Sequence, residues 1–341
     1  MEFDKIMQEI TSGLSGDSEK DGAYLKEQME KYKEHELAKE ILRACGRLMF
    51  KYIPEDQKAE ISRVINNRLT SYDAVLEEVR FKQHEKKFEE ALAMIEDLVR
   101  KFEALNMFED DQVSEYHCFN EFFEEALYRM NAQPAKELRR ADFPLDQIYT
   151  QYGSLLIDLQ RPREAIAALE TAMRWNPADA QIAFEHAEAY KMLGDLESFF
   201  KLTIEIFRYA FRPAQVARCF RNLGFYFIEK KLWEEAVACF TMSLQFDKES
   251  TIAMSELYYI QRQAGRMIQT PGIDFFRKTS EKYGFPDGAD PDVLRLSFAY
   301  GKHFAEEGNT DGARYCWQIT YDLTGDEDVR KMIDELTDEK P

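Results

Sequence analysis

Apolar residues recur every three to four positions through most of this chain, the spacing of helices that bury one stripe. In the first 71 residues the pattern predicts helices over Glu2–Leu14, Asp21–Lys33 and Glu36–Tyr52. A fourth opens at Pro54 and runs to about Asn67. Gln112 to Asn131 reads as one long amphipathic helix, ended by Gln133-Pro134, and Phe143-Pro144 precedes the next element. Prolines and glycines fall mostly between the apolar runs, where they punctuate helices. No segment favours a period of two over 3.6, so the expectation is an all-α protein with essentially no strand.

Three segments repeat one pattern. Tyr149-x2-Tyr152-Gly153-x2-Leu156 is followed by Ala165-x3-Leu169 and Pro177; Phe220-x2-Leu223-Gly224-x2-Phe227 by Ala236-x3-Phe240; Tyr300-Gly301-x2-Phe304 by Ala313-x3-Trp317. The glycine-to-alanine spacing is 12 in all three. Two antiparallel helices joined by a short turn need a small residue on each to cross closely, with bulky residues three or four positions away filling the flanks. The glycines lie 71 and 77 residues apart, about two periods of 34 each. One further unit therefore belongs in each gap. The first is marked by Ala187-x2-Tyr190, a turn at Gly194 and Phe199-Phe200. The second has Leu257 and a turn at Gly265, with bulky Tyr258 in place of the small residue. Thr270-Pro271 looks like an N-cap and first-turn proline, so its second helix starts late.

These residues resemble the tetratricopeptide repeat, a helix–turn–helix unit of 34 residues. The resemblance implies an all-α, right-handed α-solenoid. Units fall near 146–179, 180–213, 217–250, 251–286 and 294–327. A looser one covers 72–105, with Ala91-x3-Ile95 on its second helix. The expected organisation is a helical N-terminal segment over 1–71, degenerate units over 72–145, repeats over 146–327, and a capping helix and tail over 328–341. The resemblance also assigns ligand contacts to positions 2, 5, 9, 12 and 13 of each first helix, on the concave face. In the four units from 180 onward those positions include Phe184, Lys191, Arg218, Arg221, Phe225, Tyr259, Arg262, Arg295, Phe298 and Lys302. They hold six cations against three anions, and one aromatic per unit. The chaperone-binding members of this family clamp a terminal carboxylate with Lys and Asn. Here Thr150 and Ser154 stand where the first unit would need them, which argues against that role.

Charge sharpens the picture. The chain carries 64 acidic and 45 basic residues among 341, a net charge of −19. Such a surface repels phosphate backbones and anionic bilayers, so neither nucleic acid nor membrane is an expected partner. No apolar run approaches the ~20 residues of a membrane helix, and Met1-Glu2-Phe3-Asp4-Lys5 lacks the basic and apolar regions of a signal peptide. Cys45, Cys118, Cys219, Cys239 and Cys316 include no CxxC pair and read as buried thiols of a reducing compartment. A cytoplasmic location follows as an expectation.

Candidate chemistry is sparse. There is no phosphate-binding glycine loop and no HExxH. His117-Cys118 is the one close pairing of a His with a Cys, and adjacent helical residues diverge by about 100°. Glu124-Glu125 and Glu234-Glu235 fit solvated helix faces. No catalytic residue, metal ligand or cofactor is expected. The sequence points to a non-enzymatic scaffold for a protein or peptide with acidic and apolar side chains, held by arginines and aromatics against the background charge. A second reading, from a layout similar to bacterial peptide receptors, is a peptide-responsive regulator acting on a partner such as a response regulator.

Overall fold

The computed structural model describes residues 2–52, 72–105 and 108–338. The helix expected over Pro54–Asn67 lies outside them. The chain divides into two compact units. One comprises Met1–Cys118 and Pro134–Leu155, the other Phe119–Gln133 and Leu156–Pro341.

The first unit opens with α1 (Glu2–Ser12), α2 (Ser18–Lys31) and α3 (Ala38–Tyr52). Their apolar stripes meet in a small core of Ile6, Ile10, Leu25, Ile41 and Cys45. The α1–α2 turn is pinned by buried Asp21, whose carboxylate accepts from the Ser15 N–H and hydroxyl at 2.7 and 2.8 Å and from the Gly16 N–H at 2.8 Å. These bonds, that from the Ser15 N–H foremost, hold its carboxyl below the usual range against the opposing effect of burial. Next come α4, helical over 72–84, and α5 (Phe88–Leu105).

The long helix expected over Gln112–Asn131 is not formed. Ser114–His117 is instead a strand, β1, paired in parallel with β2 (Glu137–Arg140). Asp111 interrupts the helix: its carboxylate accepts from the N–H groups of Val113 and Ser114 at 2.9 and 2.7 Å, satisfying them without helical bonds. Helix resumes only at α6 (Phe122–Ala132), which ends at left-handed Gln133.

The second unit carries α6 and the helix pairs. After α7 (Leu145–Asp158), which spans the boundary, come α8 (Pro162–Trp175), α9 (Ala180–Met192), α10 (Leu196–Ile206), a short 3-10 turn (Phe207–Tyr209) and α11 (Pro213–Glu229). Then follow α12 (Trp233–Phe246), α13 (Thr251–Gln263), α14 (Ile273–Tyr283), α15 (Pro291–Glu306), α16 (Thr310–Thr324) and α17 (Glu327–Asp338). As expected, the second helix of the 251–286 unit starts late, although its cap is Gly272 rather than Thr270.

One turn recurs between the two helices of a pair. At Lys86, Gln160, Gly194, Lys231 and Gly308 the backbone is left-handed, with φ of 62°, 58°, 75°, 58° and 75°. In each case that residue's N–H bonds three residues back and the following N–H five residues back, for example Lys231 to Ile228 at 2.8 Å and Leu232 to Phe227 at 2.9 Å. This closes the first helix by satisfying its last carbonyls. The same geometry at Lys86 joins α4 to α5.

The crossings account for the small residues. A Cβ at Gly224 would sit 2.6 Å from the Phe240 ring, and one at Gly301 would sit 2.2 Å from the Trp317 indole. Ala236 and Ala313 on the second helices are fully buried. Each glycine thus seats the bulky residue four positions beyond the alanine, and the helices approach because no side chain separates them there. A continuous core runs through this unit from Phe123 and Phe184 to Ile319 and Leu323.

Candidate functional site

The expected contact residues lie on α9, α11, α13 and α15, the first helices of four units. Each helix has a defined start. Asp179 accepts from the Gln181 N–H at 2.7 Å, Ser250 from Ala253 at 3.4 Å, and Asp290 from Asp292 at 2.8 Å. Pro213 opens α11, and the Gln215 carbonyl accepts from the N–H groups of Phe211 and Arg212. These caps fix the phase at which each helix presents its side chains.

On α9 and α11 the residues form an interlocked set. Phe184 is fully buried, with the Arg218 guanidinium 4.5 Å above its ring. It therefore offers no face to a ligand, contrary to the expectation. Its place on the first helix was read correctly, but its ring belongs to the core. Arg218 also reaches Gln181 and Glu185, at 3.3 Å each. Lys191 pairs with Glu188 at 2.6 Å and lies 4.9 Å from the centre of the Phe225 ring. Arg221 donates to Asp247 at 3.0 Å and to Ser250 at 3.4 Å. It ties α11 to the cap of α13, and burial holds its guanidinium below the usual range against the pull of Asp247.

On α13 and α15 the residues face solvent. Tyr259 and Phe298 are exposed, as are Arg262, Arg295 and Lys302. Among the described residues Arg295 pairs only with Asp292 on its own helix, at 3.0 Å, and Lys302 with Glu306 at 3.9 Å. Exposed pairs of this kind are weak and exchange readily with a competitor. Arg262 has no ion-pair partner among the described residues. Its guanidinium lies 6.0 Å from the centre of the Tyr258 ring.

The surroundings of α13 are unusual. Of eleven exposed large apolar side chains among the described residues, seven lie between Ile252 and Phe275: Ile252, Met254, Tyr258, Tyr259, Met267, Ile273 and Phe275. The register places Ile252 at position 2 and Tyr259 at position 9 of the 251–286 unit and does not reach the other five. The signal available was bulky Tyr258 where the other units carry a small residue.

A further feature was missed altogether. Helix α6 packs into the second unit. Phe122 lies against Tyr300, Phe304 and Tyr315, with ring centres 6.1, 5.6 and 5.2 Å away. Glu121 accepts from both Arg212 and the Tyr315 hydroxyl. Glu124 is buried, accepting from Asn176 at 2.9 Å and from the Asn120 N–H at 2.8 Å. Burial pushes its carboxyl up to about 7, although the Asn176 bond opposes the shift. Beside Arg212 and Tyr315 lies a cleft of about 690 Å³, floored by Phe211, Phe246 and Ile319.

Chemistry is sparse. All five cysteines are buried and unpaired by disulfides, and burial raises the thiols of Cys219 and Cys239. Among the described residues no group of three or more His, Cys, Asp or Glu could hold a metal ion. No helix among them is long and apolar enough to cross a membrane.

Tandem helix pairs that share one turn, two of them with the same close crossing, define an all-α helical-repeat architecture. No family profile matches the chain, and no curated protein sequence does. Among solved structures the chain is similar to pilF of Pseudomonas aeruginosa, with 11% identity, a TM-score of 0.41, and 79% of this chain and 99% of that one covered. A tetratricopeptide repeat protein from Parabacteroides merdae matches at 10% identity and a TM-score of 0.37, over 98% and 99% of the two chains. The Thermus thermophilus protein TTC0263 matches at 15% and 0.31, over 56% and 98%.

Proposed function

We propose that this chain is a non-enzymatic scaffold that binds a protein or peptide segment along the first helices of its repeats, chiefly over α13 and α15. The observation that carries this reading is the concentration of exposed apolar side chains between Ile252 and Phe275. Exposed apolar surface gathered in one stretch marks an interaction site on a soluble protein more often than scattered residues do. Tyr259 and Phe298 supply aromatic contacts. Arg262, Arg295 and Lys302 supply cations that are free or weakly paired. A partner with acidic and apolar side chains complements both.

The inner part of the ladder plays a supporting role in this reading. Arg218 over Phe184 and Lys191 over Phe225 stiffen the face through cation–aromatic contacts. Arg221 is a structural tie and not a ligand contact.

The test is capture from cell extract by the immobilised chain, comparing the parent with a Tyr259→Ala, Arg262→Glu variant. The reading expects a protein retained by the parent to be lost from the variant and to elute as salt rises, with unchanged thermal unfolding. Equal retention by both would place the binding elsewhere.

A further inference from the structure

The first unit holds a group of arginines that the reading of the repeats leaves unused. A cleft of about 640 Å³ there is lined by Arg43 and Arg47 from α3 and by Arg139 and Arg140 from β2. Glu137 and Asp142 are the acids in its lining, so cations outnumber anions in a chain of net charge −19. Two of the four arginines are already used. Arg43 donates to Asp111 at 3.0 Å and to the Glu109 carbonyl at 2.7 Å. Arg139 donates to the Ser114 hydroxyl at 2.8 Å and to Glu137. Arg47 and Arg140 have no ion-pair partner among the described residues. Arg47 is half-buried; burial and the nearby Arg139 disfavour its charge, while Tyr116, Glu137 and Asp111 favour it. A half-buried cation next to another cation is stabilised by any anion that enters.

The sheet adds the second half of the site. In the parallel pairing of Ser114 with Glu137 through His117 with Arg140, the Glu137 N–H donates to the Val113 carbonyl just before β1 and the Ala141 N–H to the His117 carbonyl, both at 2.8 Å. By the alternation of a ladder, the amides of Leu138 and Arg140 point to the opposite edge. The two edges are treated differently. On the outer side of β1, the Ser114 N–H meets Asp111 and the Tyr116 N–H meets Asp110. On the outer side of β2, no described residue meets the amides of Leu138 or Arg140. An unblocked edge of this kind is a template for another strand.

We propose that β2 and the arginine cleft form a docking site for an extended acidic peptide. Its backbone adds a strand to the outer edge of β2, and its carboxylates, two residues apart, reach Arg47 and Arg140. An extended strand is favoured over a small anion because the open amides and the unpaired arginines belong to the same four-residue strand and the helix facing it. A phosphate would use the arginines and leave the edge idle.

Fluorescence anisotropy tests this on the full chain with a labelled six-residue peptide alternating glutamate and valine. A second probe is the same peptide methylated on every backbone amide nitrogen, which keeps the carboxylates and removes the donors. The expected result is binding of the first probe, weakened by about tenfold or more with the methylated probe and with Arg47→Glu or Arg140→Glu. The Tyr259→Ala, Arg262→Glu variant should bind the first probe as the parent does, which separates this site from the ladder. Arg140 is exposed, so its variant keeps the test sound if Arg47→Glu impairs folding. Absence of binding, equal binding of the methylated probe, displacement by inorganic phosphate alone, or unchanged affinity in the Arg140→Glu protein would each overturn the proposal.

Discussion

Replacing Gly224 with alanine should destabilise the protein, although the same change in an open helix is stabilising. A helical glycine costs ~1 kcal/mol relative to alanine, so the intrinsic effect favours the variant. At Gly224 the new methyl would meet three Phe240 ring atoms at 2.6, 2.7 and 2.8 Å, where carbon atoms normally rest about 3.5–4.0 Å apart. Phe240 is 1% exposed, and its ring has no open space into which to retreat. Overpacking of this kind costs about 1–3 kcal/mol, leaving a net loss of ~1 kcal/mol after the helix gain. Urea unfolding followed by far-ultraviolet circular dichroism reads this directly. Gly22→Ala is the control, since nothing lies within 4 Å of a Cβ there, and it should gain ~0.5–1 kcal/mol. In a Phe240→Leu background, itself destabilised, Gly224→Ala should change sign and become neutral or stabilising, because the obstructing ring is gone. If Gly224→Ala stabilises the parent as much as Gly22→Ala does, the close crossing of α11 and α12 is wrong.

Other expectations follow from single contacts. Glu124 in the folded chain holds a proton that the unfolded chain releases between about pH 4.5 and 7. Stability should therefore fall as pH rises through that window, by up to ~3 kcal/mol, and Glu124→Gln should flatten the profile and raise stability at pH 8. Lys231→Gly should stabilise by ~1 kcal/mol, since a non-glycine residue at φ 58° is strained; thermal unfolding would show an unchanged or lower midpoint if the turn were otherwise. Arg221→Ala should cost about 1–3 kcal/mol by stranding Asp247, whereas Arg262→Ala should fall within about 0.5 kcal/mol of the parent, and equal effects in urea unfolding would contradict the different surroundings of the two arginines.

Much of the helical architecture was legible because helix crossings demand small residues at fixed places. Gly224 and Gly301, each 12 residues before an alanine, mark two such crossings. The turn was less legible, since Lys86, Gln160 and Lys231 adopt the left-handed conformation without being glycine. β1 was hidden because four residues carry too little alternation to outweigh a helical frame, and its partner, Glu137-Leu138-Arg139-Arg140, has almost no strand propensity. The pairing rests on tertiary context that no local window contains. The contact residues were placed on the intended helices, yet register along a helix does not fix burial. Phe184 and Phe298 occupy the same position of their units, and one is core while the other is exposed. The arginine cleft escaped notice because Arg43 and Arg47 lie far in sequence from Arg139 and Arg140, and only the fold brings them together.

Hydrogen–deuterium exchange on the chain with and without a captured protein reads whether the exposed side chains on α13 and α15 bind a partner. The expected result is slowed exchange confined chiefly to Thr251–Gln263 and Pro291–Glu306, absent in the Tyr259→Ala, Arg262→Glu variant. Protection elsewhere in the chain, with these two helices unchanged, would contradict it.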